Sequence, residues 1–305
     1  MNIIRIILTI FPFSFYYPLK GRLRRIVSDL TPKEASLAIV AIAKNEADYI
    51  QEWVAFHKAV GIDNIILYDN DSTDNMKEEI KPFIEQGYVL YHTIRGKAQH
   101  INAFNDALKK YTHKFKYMAF IDCDEYLFPV NEKDNIVDVI NRIYAKNRNA
   151  GGLGVNWAMY GSSGLETKPQ GLCIENFIWR ARTPGGRGVD VIKTICKPDL
   201  VIKFNHTHYP IYKSGNYCIS TEGKRIPEWY NVITEYKGLR INHYFTKSKE
   251  QWIKRRGIGT SDGSKSRTIE EFYEHDNNDV RDCSALYYKE RLMSIIHHLQ
   301  AKSRS

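Results

Sequence analysis

The stretch Tyr117-Met118-Ala119-Phe120-Ile121-Asp122-Cys123-Asp124-Glu125-Tyr126-Leu127 is an apolar run that ends in three carboxylates within four residues. Its first five residues, with aromatic and β-branched members, suit a strand covered on both faces, although periodicity alone does not separate this from a short buried helix. Asp122 and Asp124 stand two apart, so an extended chain would send both side chains to the same side. Two carboxylates held together repel unless a cation lies between them. Hard oxygen ligands favour magnesium or manganese, ions that also bind phosphates. The same residues also read as a polar loop that is merely acidic, and the surrounding chain has to decide.

Upstream, the order of elements is regular. Leu37 to Ala43 is an apolar strand candidate, broken by Lys44-Asn45-Glu46. From Ala47 to Val60, Ile50, Trp53, Val54, Phe56 and Val60 recur at helical spacing, and Gly61 is placed to end the helix. The unit then repeats: Asn64 to Tyr68 as strand, Asp69-Asn70-Asp71-Ser72-Thr73-Asp74 as turn and helix start, a helix to about Ile84, and a strand near Tyr88 to Thr93. A helical stretch from about Gln99 to Lys110 leads into the quoted strand. This alternation predicts an α/β fold with a largely parallel sheet covered by helices.

In such sheets ligands bind at the carboxyl ends of the strands, and here those ends carry Lys44-Asn45-Glu46, Asp69-Asn70-Asp71 and Asp122-Cys123-Asp124-Glu125. A nucleotide matches their chemistry: carboxylates and amides accept from ribose hydroxyls or base edges, Lys44 neutralises phosphate, and Asp122 with Asp124 holds a metal on a diphosphate. Asp, Asn and Ser are also ordinary helix-cap residues, so each turn alone says little. No Gly-x-Gly-x-x-Gly or Gly-Lys-Ser/Thr loop is present, which argues against a nicotinamide dinucleotide site and a P-loop.

The net charge of +9 in 305 residues has a local origin: Arg5, Lys20, Arg22, Arg24 and Arg25 supply five charges with no acidic residue among the first 25. Four remain for the other 280 residues, too diffuse for a nucleic-acid face. Ile3 to Tyr17 is apolar but interrupted by Arg5, Pro12 and Ser14, and it is shorter than the roughly 20 residues of a spanning helix. Residues 1–25 therefore read as a peripheral membrane contact, aromatics at the interface and basic residues on headgroups, or else as a first helix packed on the domain. Five widely spaced cysteines indicate neither a disulfide framework nor a zinc site and fit a reducing cytosol at the inner membrane face.

In these residues the chain resembles glycosyltransferase family 92 and related family-2-like glycosyltransferases, which have the GT-A fold. The resemblance rests on Lys44-Asn45-Glu46 with Glu52-Trp53 and His57, Tyr68-Asp69-Asn70-Asp71-Ser72-x-Asp74, and Ile121-Asp122-x-Asp124-Glu125. It continues through Trp157, Gly161-Ser162-Ser163-Gly164, Lys193 and Asn242-His243-Tyr244-Phe245-Thr246-Lys247-Ser248. It implies a Rossmann-like mixed sheet flanked by helices over residues 31–305, with a nucleotide-sugar half at about 37–130 and an acceptor half at about 150–290. It further implies inverting transfer from a UDP-sugar, galactose among the donors, with Mn2+ or Mg2+, to a glycan or lipid-linked acceptor in cell-surface polysaccharide or lipopolysaccharide synthesis. Asp122 and Asp124 would serve metal and diphosphate, the Asp69-Asn70-Asp71 turn the nucleoside, and Glu125 the sugar or merely the turn.

The second half is expected to complete the site. His243 is the favoured third metal ligand, because Ile241 to Phe245 resembles a strand end and Lys247-Ser248 follow with a cation and a hydroxyl; His208 is the substitute. Gly151-Gly152 should introduce a strand through Trp157, and Trp179, Tyr209, Tyr212, Tyr217, Trp229 and Tyr230 are rings of the kind on which sugars stack, though most such rings pack a core. A glycine-rich stretch from Gly257 to Gly263, beside Arg255-Arg256, could order over donor phosphates. For the general base, Asp262 and Glu166 lead over Glu175 and Asp190. From Arg267 the chain reads as helical, with Ile295, Ile296 and Leu299 on one face. Two other classes match parts of the pattern: an Asp-x-Asp phosphohydrolase, although here the pair follows about the fourth strand, and a non-catalytic nucleotide-sugar or glycan-binding module.

Overall fold

Three strand and helix units and a fourth strand, in the order expected from the sequence, build the first half of the computed structural model, which describes residues 33, 35–256 and 268–302. They are β1 (Ala35–Ala43), α1 (Ile50–Val60), β2 (Asn64–Asp69), the short α2 (Met76–Glu79) and α3 (Lys81–Glu85), β3 (Val89–Thr93), α4 (His100–Tyr111) and β4 (Phe115–Phe120). The single helix expected before Ile84 is divided, since Pro82 falls in the first turn of α3 and has no N–H to extend a helix from α2. The N-terminal segment and the Gly257–Gly263 stretch with Asp262 lie outside the described residues.

The second half comprises β5 (Glu125–Pro129), α5 (Ile136–Ala145), β6 (Ala150–Met159), α6 (Cys173–Asn176), β7 (Trp179–Arg180), β8 (Ile192–Cys196), β9 (Val201–Phe204), β10 (Pro210–Tyr212), β11 (Tyr217–Ser220) and β12 (Arg225–Ile226). β13 (Leu239–His243), α7 (Lys249–Arg256), α8 (Ile269–His275), β14 (Val280–Arg281) and α9 (Lys289–Lys302) complete it. The expected helical C-terminal region is broken by β14, which pairs with β7.

The main sheet runs β3-β2-β1-β4-β8-β6-β11-β12. β3, β2, β1 and β4 are parallel, with Val40 beside both Ile66 and Phe120. β8 enters antiparallel between β4 and β6. β13 lies between β6, parallel, and β5, antiparallel, and sets His243 beside Met159 and Glu125. Strand order reverses between β1 and β4, the crevice where open α/β sheets bind ligands.

Helix α1 buries the face that its spacing predicts: Ile50, Trp53, Val54, Phe56 and Val60 all have under a tenth of their surface exposed. It starts at Ile50 rather than Ala47, because Glu46 O first accepts from Tyr49 N and Ile50 N. Gly61, at φ 102°, closes it in the left-handed region where glycine is unstrained. Polar side chains fix the helix further. Trp53 Nε1 donates to Glu125 O at 2.8 Å, and His57 Nε2 accepts from Leu127 N at 3.1 Å. His57 is therefore neutral with its proton on Nδ1, 2.9 Å from Trp53 O, and burial takes its pKa down to about 3. Glu52 accepts from Cys173 N and Ile174 N at 2.6 and 3.1 Å, so α1 holds the first half, β5 and α6 together.

The strand expected from Gly151-Gly152 through Trp157 is β6, which begins one residue earlier, at Ala150, and runs on to Met159. A Cβ on Gly152 would come within 2.6 Å of Tyr212 Cζ, so the missing side chain is what lets the Tyr212 ring cover the strand.

Candidate functional site

The turns after β1 and β2 are latched to one another. Asn45 Oδ1 accepts from Thr73 N at 2.7 Å, Ser72 Oγ accepts from Asn45 N at 3.1 Å, and Asp74 Oδ2 accepts from Ala47 N at 2.9 Å. Asp69 accepts from Ser72 N and from the Tyr91 hydroxyl, and Asp71 accepts from Gly96 N. Asn70 donates to Ile94 O and Gly96 O. Asn45 and Asp71, both at φ 55°, are held in the left-handed region by these bonds. The polar residues read as nucleoside contacts thus first shape the rim, while Lys44 beside them is exposed and forms no ion pair with a described residue.

Asp122 and Asp124 do not share one side of an extended strand. Glu125 N returns to Asp122 O at 3.1 Å, a tight turn that sends the two carboxylates to different partners. Asp122 meets Lys193 Nζ at 2.8 Å and His100 Nε2 at 3.2 Å. Although burial pushes the other way, Lys193 and then His100 hold the Asp122 carboxyl well below its ordinary range. Asp124 meets His243 Nε2 at 3.4 Å and Arg255 at 3.2 Å. Burial again opposes, and His243 followed by Arg255 keeps Asp124 far below the usual carboxylate value.

Arg255 extends from α7 to join this second cluster to Glu46 at 2.8 Å, and Lys247 reaches the same Glu46 at 3.4 Å. The Lys247 ammonium also lies 4.6 Å from the centre of the Tyr49 ring. Of the residues expected to bind the donor, Glu46 and Lys247 therefore join Asp124 and His243, and Lys193 joins Asp122. Glu125 is fully buried, its Oε2 accepting from Asp122 N at 3.0 Å, which makes it the cap of the turn. Burial pushes its carboxyl well above the ordinary value, toward the neutral acid.

The chemistry of Asp124 and His243, one carboxylate oxygen facing one ring nitrogen, fits a divalent cation, and His243 Nδ1 is buried without a hydrogen-bond partner. Asp122, by contrast, is engaged by Lys193 and His100. Among the described residues no three His, Cys, Asp or Glu side chains are grouped as a metal site.

The acceptor-half carboxylates separate by their partners. Glu166 pairs with Lys249 at 3.3 Å and its side chain is 75% exposed. Glu175 caps α6 and pairs with Lys289. Asp190 forms no salt bridge with a described residue, and its backbone carbonyl accepts from Asn231 N at 2.7 Å. His208, the substitute ligand, directs Nδ1 to Ile192 O. His100 escaped the sequence reading, since a histidine opening a helix carries no signal of the strand end it will meet. Arg255 was visible only as half of a basic pair.

The five cysteines are all unpaired. No described helix is long and apolar enough to cross a membrane.

Comparison with known proteins places these features. A family model for glycosyltransferase family 92 matches residues 36–281. A family 92 protein of Ricinus communis is 23% identical over 78% of this chain and 44% of its own length, and one of Oryza sativa subsp. japonica is 25% identical over 58% of this chain and 30% of its own. A galactan beta-1,4-galactosyltransferase of Arabidopsis thaliana is 34% identical over 30% of this chain and 19% of its own length. The chain therefore spans less than half the length of these curated relatives. Among solved structures, S. aureus TarS 1-349 in complex with UDP-GlcNAc matches at 14% identity and TM-score 0.41, covering 85% of this chain and 73% of that one. With its matched region carrying both strand-end turns, both aspartates and His243, the chain belongs to glycosyltransferase family 92.

Proposed function

We propose that this protein is a metal-dependent, inverting glycosyltransferase that moves a sugar, galactose in the leading reading, from a UDP-linked donor to a glycan or lipid-linked acceptor. The observation that carries this is the grouping of Asp124, His243, Arg255, Glu46 and Lys247 at the strand-order reversal of a family 92 domain. A relative named as a galactosyltransferase supports the donor sugar.

Arg255 and Lys247 are cations held by carboxylates at the rim. A donor diphosphate offers them a second set of anionic oxygens, so they bind and orient it through charge-assisted hydrogen bonds. Lys193, fixed by Asp122, keeps positive potential at the end of β4. A Mn2+ or Mg2+ ion held by Asp124 and His243, with Asp122 nearby in sequence, would offset the charge that develops on the leaving diphosphate. Inversion requires a base on the face of the sugar opposite the diphosphate. Asp262 and Glu166 remain the proposed bases; Asp190 joins them as a carboxylate of the acceptor half without an ion pair to a described residue. Synthesis of a cell-surface polysaccharide or lipopolysaccharide at the inner membrane face, with residues 1–25 as the contact, completes the reading.

Thermal-shift screening of UDP-, GDP- and CMP-sugars with and without manganese tests it, because a ligand that binds only the folded state raises the melting temperature. UDP-sugars should give the largest shift; equal or absent shifts across the panel would contradict the proposal.

A further inference from the structure

A row of aromatic rings leads away from His243 to the protein surface. The Trp157 ring lies 4.3 Å from that of His243 and 5.1 Å from that of His208. The His208 ring is 6.5 Å from that of Trp229, which stacks on His206 at 5.8 Å with 25° between the planes. Trp229 ends this row 42% exposed. Its backbone is fixed rather than free: Trp229 O accepts from Ile192 N at 3.1 Å, and Tyr230 bridges to Val191, so both contacts fall on the two residues that precede Lys193 of the site. The row ties the exposed ring to the rest of the candidate site through three ring-to-ring steps. The buried Trp157 Nε1, a donor only, has no hydrogen-bond partner.

We propose that Trp229, stacked on His206, is a platform for a sugar ring of the acceptor glycan, with the growing chain running outward from His243 across it. This rests on the glycosyltransferase reading above and names the acceptor class that it left open. Trp229 does not stand alone at the surface: the Tyr230 ring, 5.6 Å away, is exposed beside it, and indole rings are enriched where a protein meets a partner. Two features favour a sugar over an acyl chain as its occupant. The platform interleaves apolar faces with polar ring atoms, those of His206 and His208, which suits a pyranose that is apolar on its C–H face and hydroxylated at its rim. It is also joined to His243 through Trp157 and His208, so a glycan lying on Trp229 sits at the outer end of the same row of rings.

The test uses the full chain and two probes. UDP with manganese reports the donor site. A panel of neutral oligosaccharides built from galactose, glucose, mannose or N-acetylglucosamine reports the platform; both are measured by titration calorimetry and saturation-transfer NMR. Wild type should bind UDP and at least one oligosaccharide family. Trp229→Ala should lose roughly tenfold or more in affinity for that oligosaccharide, Trp229→Phe should keep most of it, and both should bind UDP as wild type does. Since Trp229 lies at the surface, an unchanged melting temperature checks that the variants fold. UDP binding without any oligosaccharide binding, or an oligosaccharide bound equally by Trp229→Ala, overturns the platform and leaves the donor site standing. Failure of wild type to bind UDP overturns the nucleotide-sugar reading itself.

Discussion

The Lys193 ammonium sits 2.8 Å from the Asp122 carboxylate, with 1% of the lysine side chain exposed against 31% of the aspartate's. The lysine is the partner that cannot turn to water. Glu125, at 3.7 Å, is the next carboxylate of an ion pair with it, and is itself pushed toward the neutral acid. Asp122→Asn should therefore lower stability by about 2–4 kcal/mol, the cost of stranding a buried charge. Adding Lys193→Met should recover part of the loss. Urea unfolding midpoints would show it; an unchanged midpoint for Asp122→Asn would mean the pair is not what holds the end of β4.

Arg255 spans Glu46 and Asp124, and in the proposed reaction it exchanges these carboxylates for donor diphosphate. Arg255→Met should weaken UDP binding by about tenfold, the scale of one charge-assisted contact. The defect should shrink at high salt, where screening already weakens the wild-type contact. Equal affinities at low salt would remove Arg255 from the donor site.

Glu52 supplies a pH signature. Burial raises its carboxyl from the ordinary 4.5 to about 7, against the two backbone donors of Cys173 and Ile174, which favour the charged form. Between those values the folded protein holds a proton that the unfolded chain has released. The resulting stabilisation is complete below about 4.5 and is lost as pH rises through about 7. Compared with Glu52→Gln, which cannot titrate, wild type should lose roughly 1.4 kcal/mol per pH unit across that window. Parallel stability profiles for the two proteins would show that the Glu52 pKa is not raised.

Gly152 makes room for Tyr212, and Gly152→Ala should cost about 1–3 kcal/mol as an overpacking change. In a double-mutant cycle Tyr212→Phe should relieve part of that cost, with a coupling of at least about 0.5 kcal/mol. Strict additivity would indicate that the strand shifts instead of the ring.

The physical reason for what could be read from the chain lies in the range of each interaction. Helix α1 announces itself through the spacing of Trp53, Phe56 and Val60, and the ends of β1, β2 and β4 through their polar turns, because both signals are local. The pair Asp122 and Asp124 was legible as a site but not in its geometry, since the turn closed by Glu125 N divides the two side chains. Lys193 was legible as a cation of the site without its partner. That partner follows from the antiparallel entry of β8 beside β4, a tertiary choice with no local mark. His100 and Arg255 were hidden for the same reason: each meets its aspartate across a long stretch of sequence. Gly151-Gly152 marks the start of β6 in the sequence, but the reason for glycine there, space for a ring from β10, is a tertiary contact with no local sign.

The proposed transfer of a sugar from a UDP donor depends on Asp124 at the metal and diphosphate cluster. The most direct measurement is UDP release and glycosylated product from UDP-galactose and other UDP-sugars with a glycan panel, for wild type and Asp124→Asn, with manganese or with chelator. Wild type should give manganese-dependent product, and a folded Asp124→Asn should lose about a hundredfold or more. Equal product from Asp124→Asn, or from wild type with chelator present, would contradict it.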